Sequence, residues 1–205
     1  MPQDVFSLVG ATVVLVVLLL SVMVARAATR RAAEQQLEIE AYARRQEESA
    51  RFKSQLSELG LCLLQATTSR EIATVFLSQA HRMLKVMQGL VYVVADDSTL
   101  KLAGSFGCAK PPPTEIRAGE GLLGQCAVDR QRKLLRMPDE PLAEIRSGLG
   151  ATRPACVMLC PIMVNEALVG VLEMAFMQCV EEDLVERVED MTHVLAVGLK
   201  IRGHQ

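Results

Sequence analysis

The chain has 205 residues, half of them apolar and 22% charged, with a formal net charge of −2. That length suits one domain with an appendage and is short for two independent cores. The near-neutral balance, with no basic stripe, argues against a surface that neutralises nucleic-acid phosphates. Six cysteines without C-x-x-C spacing and only three histidines leave little support for a zinc site.

The first predicted element is the unbroken apolar run from Val5 to Ala25. As a helix it reaches about 30 Å, the thickness of a bilayer's hydrocarbon layer. It holds no charge and no proline, so every backbone group can be satisfied internally. A cleaved signal peptide needs a basic flank and a shorter apolar core. Here Asp4 precedes the run, so residues 1–25 are expected to be a transmembrane anchor in contact with membrane lipid. Arg26, Arg30 and Arg31 follow it, which places the C-terminal bulk in the cytoplasm and the protein in the inner (plasma) membrane, crossing once. Reduced, mostly buried cysteines fit that compartment.

From Arg26 to Leu59 the sequence has no proline and no glycine, and Ala, Glu, Gln and Arg dominate. That composition predicts a continuous helix whose part over residues 26–55 is a stalk, at most a weak coiled coil. Phe52, Leu56, Leu59 and Leu63 then follow the spacing of a packed helical stripe, and Leu184, Val188, Met191 and Leu195 repeat it near the C-terminus. Two terminal helices striped alike are expected to pack side by side and to support a homodimer.

Between them, Thr68 and Glu71 form a capping box that opens a helix to about Val86. Residues 89–95 and 100–106 read as strands around a turn at Asp96, Asp97 and Ser98. Pro111, Pro112 and Pro113 enforce a loop. Gly119 begins a short helix to Asp129, a strand follows at 133–137, and residues 141–146 read as another short helix. Residues 155–164 and 167–176 are strong strands joined at Asn165 and Glu166. Hairpins with helices to one side define an α+β domain, expected over residues 56–202.

Several ordered segments carry a family likeness: Gly119–Ala127 (GEGLLGQCA), Leu134 and Leu135, Ile145–Gly150 (IRSGLG), Val157–Ile162 (VMLCPI) and Leu168–Phe176 (LVGVLEMAF). Together they resemble a GAF domain, and more narrowly the GAF domains of bacterial membrane sensor histidine kinases. The resemblance implies an antiparallel sheet of about six strands, with terminal helices on one face and a pocket on the other. The pocket would be roofed by about Lys110 to Thr152. The expected ligand-contacting set is Phe106, Cys108, Gly121, Leu122, Cys126, Arg146, Ser147, Met158 and Glu173. No kinase or cyclase segment follows within these 205 residues, so output is expected through dimerisation or a partner such as a sensor kinase.

Gly119, Gly121 and Gly124 match a dinucleotide fingerprint as a string but follow no long strand, so they read as a tight turn opening a helix. Cys108 and Cys126 raise thiol chemistry, since a GAF-type enzyme that reduces free methionine sulfoxide uses pocket cysteines. Its nucleophile neighbourhood is not reproduced, and Gly121–Gly124 carries leucines there. His81 and His193 read as helix-face histidines rather than haem ligands. Cys156 and Cys160 share a strand face about 13 Å apart, too far to bond each other. Glu173 interrupts an apolar strand and, if buried, needs a partner or a raised pKa. Three settings stay open for it: a ligand amine, Arg146 of the roof, or a place near the sheet's edge. The resulting expectation is a membrane-anchored, non-enzymatic sensor for a small ligand or a redox change, with no resident cofactor or metal. Its alternatives are a scaffold for dimerisation or recruitment, and a thiol-based methionine sulfoxide reductase.

Overall fold

The computed structural model describes residues 2–96, 98–136, 145–147, 150–178 and 181–202. Side chains are described for Met23, Arg26 and from residue 35 onward, except at 145–147, 150–152 and 202. The chain divides into two compact units, Met1–Arg51 and Phe52–Gln205. Helix α1 runs Pro2–Gln65, and only its last turns belong to the second unit. Leu37, Ile39 and Tyr42 in the first unit are all exposed. Among the residues whose side chains are described, no helix is long and apolar enough to cross a membrane. The expected span from Val5 to Ala25 lies outside them except for Met23.

The second unit continues with α2 (Ser69–Leu84), β1 (Gln88–Asp96), β2 (Thr99–Phe106), β3 (Glu115–Arg117), α3 (Gly121–Asp129) and β4 (Lys133–Arg136). After β5 (Ile145–Ser147) and β6 (Gly150–Thr152) come β7 (Cys156–Val164), β8 (Ala167–Phe176) and α4 (Glu182–Arg202). Six strands form one antiparallel sheet in the order β3-β2-β1-β8-β7-β4, and β5 pairs with β6 in a separate ribbon. The helix expected over 141–146 is corrected at its end, since Ile145 and Arg146 are strand. Residues 141–144 lie outside the described residues. The three-residue edge strand β3 was not foreseen: it is too short to show alternation, and it directly follows the prolines.

Local chemistry explains the element ends. The Thr68 hydroxyl accepts from the Glu71 amide at 3.1 Å, and the Glu71 carboxylate reaches back to the amide and hydroxyl of Thr67. Two otherwise unpaired donors at the start of α2 are thereby satisfied. The Asp96 carboxylate accepts from the amide and hydroxyl of Ser98, which closes the β1–β2 turn. Asn165 takes φ 56° between β7 and β8, a conformation asparagine tolerates. Pro161 of β7 lies beyond the last residue paired with β4, Leu159, where no ladder donor is needed on that side.

One sheet face packs on the last turns of α1, on α2 and on α4. Leu59, Leu63, Val188, Met191 and Leu195 are essentially removed from water, each worth about 1.5–3 kcal/mol relative to exposure. The two stripes do meet. A Cβ on Gly60 would lie 3.7 Å from Val194, and one on Gly198 would lie 3.4 Å from Leu63. The small residues therefore set how near α1 and α4 approach.

Candidate functional site

Strand alternation assigns the residues of the opposite face. Leu90 and Tyr92 of β1, Val157 and Leu159 of β7, and Val171, Glu173 and Ala175 of β8 share it. At one end α3 closes this face with Leu123, Cys126 and Ala127. The glycines let the turn before α3 close tightly on the helix. Gly119 and Gly121 adopt φ 84° and 62°, and a Cβ on Gly124 would lie 2.3 Å from the Arg117 carbonyl oxygen. The Gly119 amide donates to the Gly124 carbonyl at 2.9 Å, locking the turn onto the helix it opens. The string that mimics a dinucleotide fingerprint thus makes a compact turn, with no long strand feeding it.

Glu173 stands in register with Leu90 on one side and Leu159 on the other. Among the described residues its carboxylate has no hydrogen-bond or ion-pair partner. Burial raises its pKa above the ordinary glutamate value, because the charged form loses hydration without compensation. Tyr92 lies on the same face, and its hydroxyl donates to the Pro113 carbonyl at 2.8 Å. Burial first, and then the charges of Glu173 and Cys108, push the phenol up to about 12, so it stays a neutral donor. The Gln88 amide donates to the Cys108 sulfur at 3.3 Å. Burial raises the Cys108 thiol, the Gln88 contact opposes that rise, and the Glu173 charge adds to it. Carboxylate, phenol, thiol and carboxamide are therefore brought together beneath the proline loop.

Of the expected contact set, the structure places Cys108, Cys126 and Glu173 on this face. Two members are corrected. Met158 is fully buried on the helix side, because residues 157 and 159 take the opposite parity. Phe106 likewise faces the helices: its ring lies 4.8 Å from that of His81 on α2. Gly121 shapes the turn but is exposed. Leu122 is 43% exposed while its neighbours Leu123 and Cys126 are buried. The side chains of Arg146 and Ser147 lie outside the described residues. Tyr92 and Gln88 were missed, although their even spacing with Leu90 along β1 was the available signal.

The other polar groups have structural roles. His81 Nδ1 donates to the Val86 carbonyl at 2.8 Å, fixing the end of α2. Burial pushes the Cys126 thiol up to about 11 and Cys160 up to about 12, so both are protonated at neutral pH. The five described cysteines are free thiols. Among the described residues, no three His, Cys, Asp or Glu side chains gather as a metal site requires.

No protein-family model matches the chain, and no curated protein is similar to it at a significant level. Solved structures are similar. The nlh2 GAF domain of A. aeolicus in an inactive state is 18% identical with a TM-score of 0.61, covering 76% of this chain and 99% of that one. The GAF domain of a phosphoenolpyruvate-protein phosphotransferase from Coxiella burnetii is 16% identical with a TM-score of 0.59, covering 75% and 97%. The free methionine-R-sulfoxide reductase of Neisseria meningitidis, in complex with its substrate, is 16% identical with a TM-score of 0.58, covering 75% and 90%. The fold of this chain is that of GAF domains.

Proposed function

We propose that the chain is a membrane-anchored sensory module that binds a small ligand on the sheet face carrying Glu173. The observation that carries this reading is a carboxylate held in an apolar setting without a partner among the described residues. Such a group is costly unless something satisfies it, and a ligand's donor does so. Tyr92, Gln88 and Cys108 supply further polar contacts at fixed positions, the pattern of a mostly apolar pocket with a few convergent polar groups.

Signal output, in this reading, passes through a homodimer built on α1 and α4 and from there to a partner such as a sensor kinase. Leu61 and Leu64 of α1 and Val197 and Ile201 of α4 are each half or more exposed, on two helices already in contact. The apolar run from Val5 to Ala25 supports an inner-membrane anchor with the sensory unit in the cytoplasm. Carbonate extraction of membranes tests the anchor: the full chain should stay in the pellet, and a chain lacking residues 1–25 should not.

Native mass spectrometry of the full chain, released from mild detergent, tests ligand binding. A co-purifying small molecule that is lost in Glu173→Ala supports the reading. A chain of bare mass, unaltered by that substitution, leaves the scaffold alternative. The reductase alternative has the fold of the Neisseria enzyme in its favour. Against it stand the half-buried Cys108 and the buried Cys126, both raised away from the reactive thiolate form. Turnover of free methionine sulfoxide that Cys108→Ser or Cys126→Ser abolishes would establish it.

A further inference from the structure

A cavity of about 360 Å³ opens at the end of the sheet where the β1–β2 turn, the start of β8 and the C-terminal half of α3 converge. Its floor is apolar, made by Leu100, Ala127 and Leu168. Leu100 and Ala127 are buried, whereas Val128 at the mouth is 56% exposed. Two opposite charges, Asp96 and Arg130, line the same cavity.

Both charges are held in place by the fold. The Asp96 carboxylate is fixed by the Ser98 amide and hydroxyl at 3.0 and 3.1 Å. Arg130 caps α3 at φ 51°, its amide donating to the Cys126 carbonyl. Its guanidinium donates to the Glu166 carbonyl at 3.0 Å, which ties α3 to the β7–β8 turn. Yet neither forms an ion pair with the other or with any described residue. Two anchored, unpaired charges of opposite sign beside an apolar floor are complementary to a molecule carrying both charges and a small apolar group.

We propose that this cavity binds a small zwitterion with an apolar side chain, a free α-amino acid. Its carboxylate meets Arg130 and its ammonium faces Asp96. The side chain rests on Leu100, Ala127 and Leu168. Arg130 is suited to carboxylate because its planar donors match the two oxygens. The site uses none of the polar residues around Glu173, and occupancy would bridge α3 to both hairpin turns.

The test is a titration of the full chain with L-valine, L-leucine and L-methionine, followed by methyl resonances of labelled alanine, leucine and valine. Isovalerate and isopentylamine, which carry one charge each, are the controls. At least one amino acid should saturate with shifts at Ala127, Val128 and Leu168, and bind about tenfold more tightly than either control. Asp96→Asn keeps the turn acceptor, and Arg130→Gln keeps a donor for Glu166, so both variants retain the fold. Each should weaken the amino acid about tenfold and leave the affinity of the control that lacks the matching charge unchanged. No saturable shifts, equal binding of a control, or unaltered affinity in both variants would overturn the proposal. Shifts confined to Leu90 and Leu159 would instead place the ligand at the Glu173 face, and Glu173→Gln would then abolish them.

Discussion

The Tyr92 hydroxyl on β1 donates to the carbonyl oxygen of Pro113 at 2.8 Å. This bond links the sheet face that carries Glu173 to the proline loop above it. Three prolines cannot supply amide donors of their own, so the loop is anchored through a carbonyl. Tyr92→Phe should cost about 1 kcal/mol in urea unfolding, with the denaturant slope unchanged. It should also speed amide exchange at Leu102, whose amide donates to the Thr114 carbonyl of the same loop. Unchanged stability and exchange would show that the bond is not formed in solution.

Glu173 and Glu71 should leave opposite signatures in the pH dependence of stability. Burial raises the Glu173 pKa in the folded chain, so the folded state binds more protons than the unfolded one above pH 4.5. Its contribution therefore weakens stability as pH rises from about 4.5 through the raised folded value. Glu173→Gln should remove that slope and raise the melting temperature at neutral pH. The Glu71 pKa is lowered, first by the Thr67 amide and then by the Thr67 hydroxyl. Its contribution is present above pH 4.5 and is lost as pH falls through the lowered folded value. Glu71→Gln should flatten the acid limb alone. Melting curves of both variants between pH 3 and 8 check the two signs.

Thiol labelling should follow exposure and burial. Cys62 and Cys108 are partly exposed, whereas Cys126, Cys156 and Cys160 are buried. Among the five described cysteines, N-ethylmaleimide at neutral pH should give adducts first at Cys62 and Cys108 by mass spectrometry. Cys126 and Cys160 should react only after unfolding, since both are also held protonated. Early labelling of Cys126 would contradict the packing of α3 on the sheet.

The exposed apolar residues on the terminal helices give a test of assembly. Leu61→Glu combined with Val197→Glu should leave the fold intact, since both positions are more than half exposed. In light scattering of the full chain the double variant should shift from dimer to monomer. A wild-type monomer at micromolar concentration would remove the dimer from the account.

Much of this fold was legible in the sequence, because strong signals coincide with the packing. The stripes of α1 and α4, the Thr68–Glu71 box and the β7–β8 hairpin each follow from spacing and capping chemistry. What failed was parity and length. Met158 and Phe106 lie on good strands, but a residue-type argument cannot say which face of a sheet buried on both sides a given side chain takes. Tyr92 carries no motif, and it matters because it shares a sheet face with Glu173, two residues along β1 from Leu90, the register partner of Glu173. Strand β3 is held by pairing with β2 rather than by its own pattern. Asp96 and Arg130 are distant in sequence and unremarkable as types, and only the topology sets them around one cavity.

The central claim is that something other than this chain satisfies the Glu173 carboxylate. A crystal structure of the full chain purified without added ligand tests it most directly. Density for a small molecule is expected on the Leu90–Leu159 face, with a donor within hydrogen-bond distance of the Glu173 carboxylate. A face sealed by the chain's own side chains, with Arg146 paired to Glu173 and no space left, would contradict it.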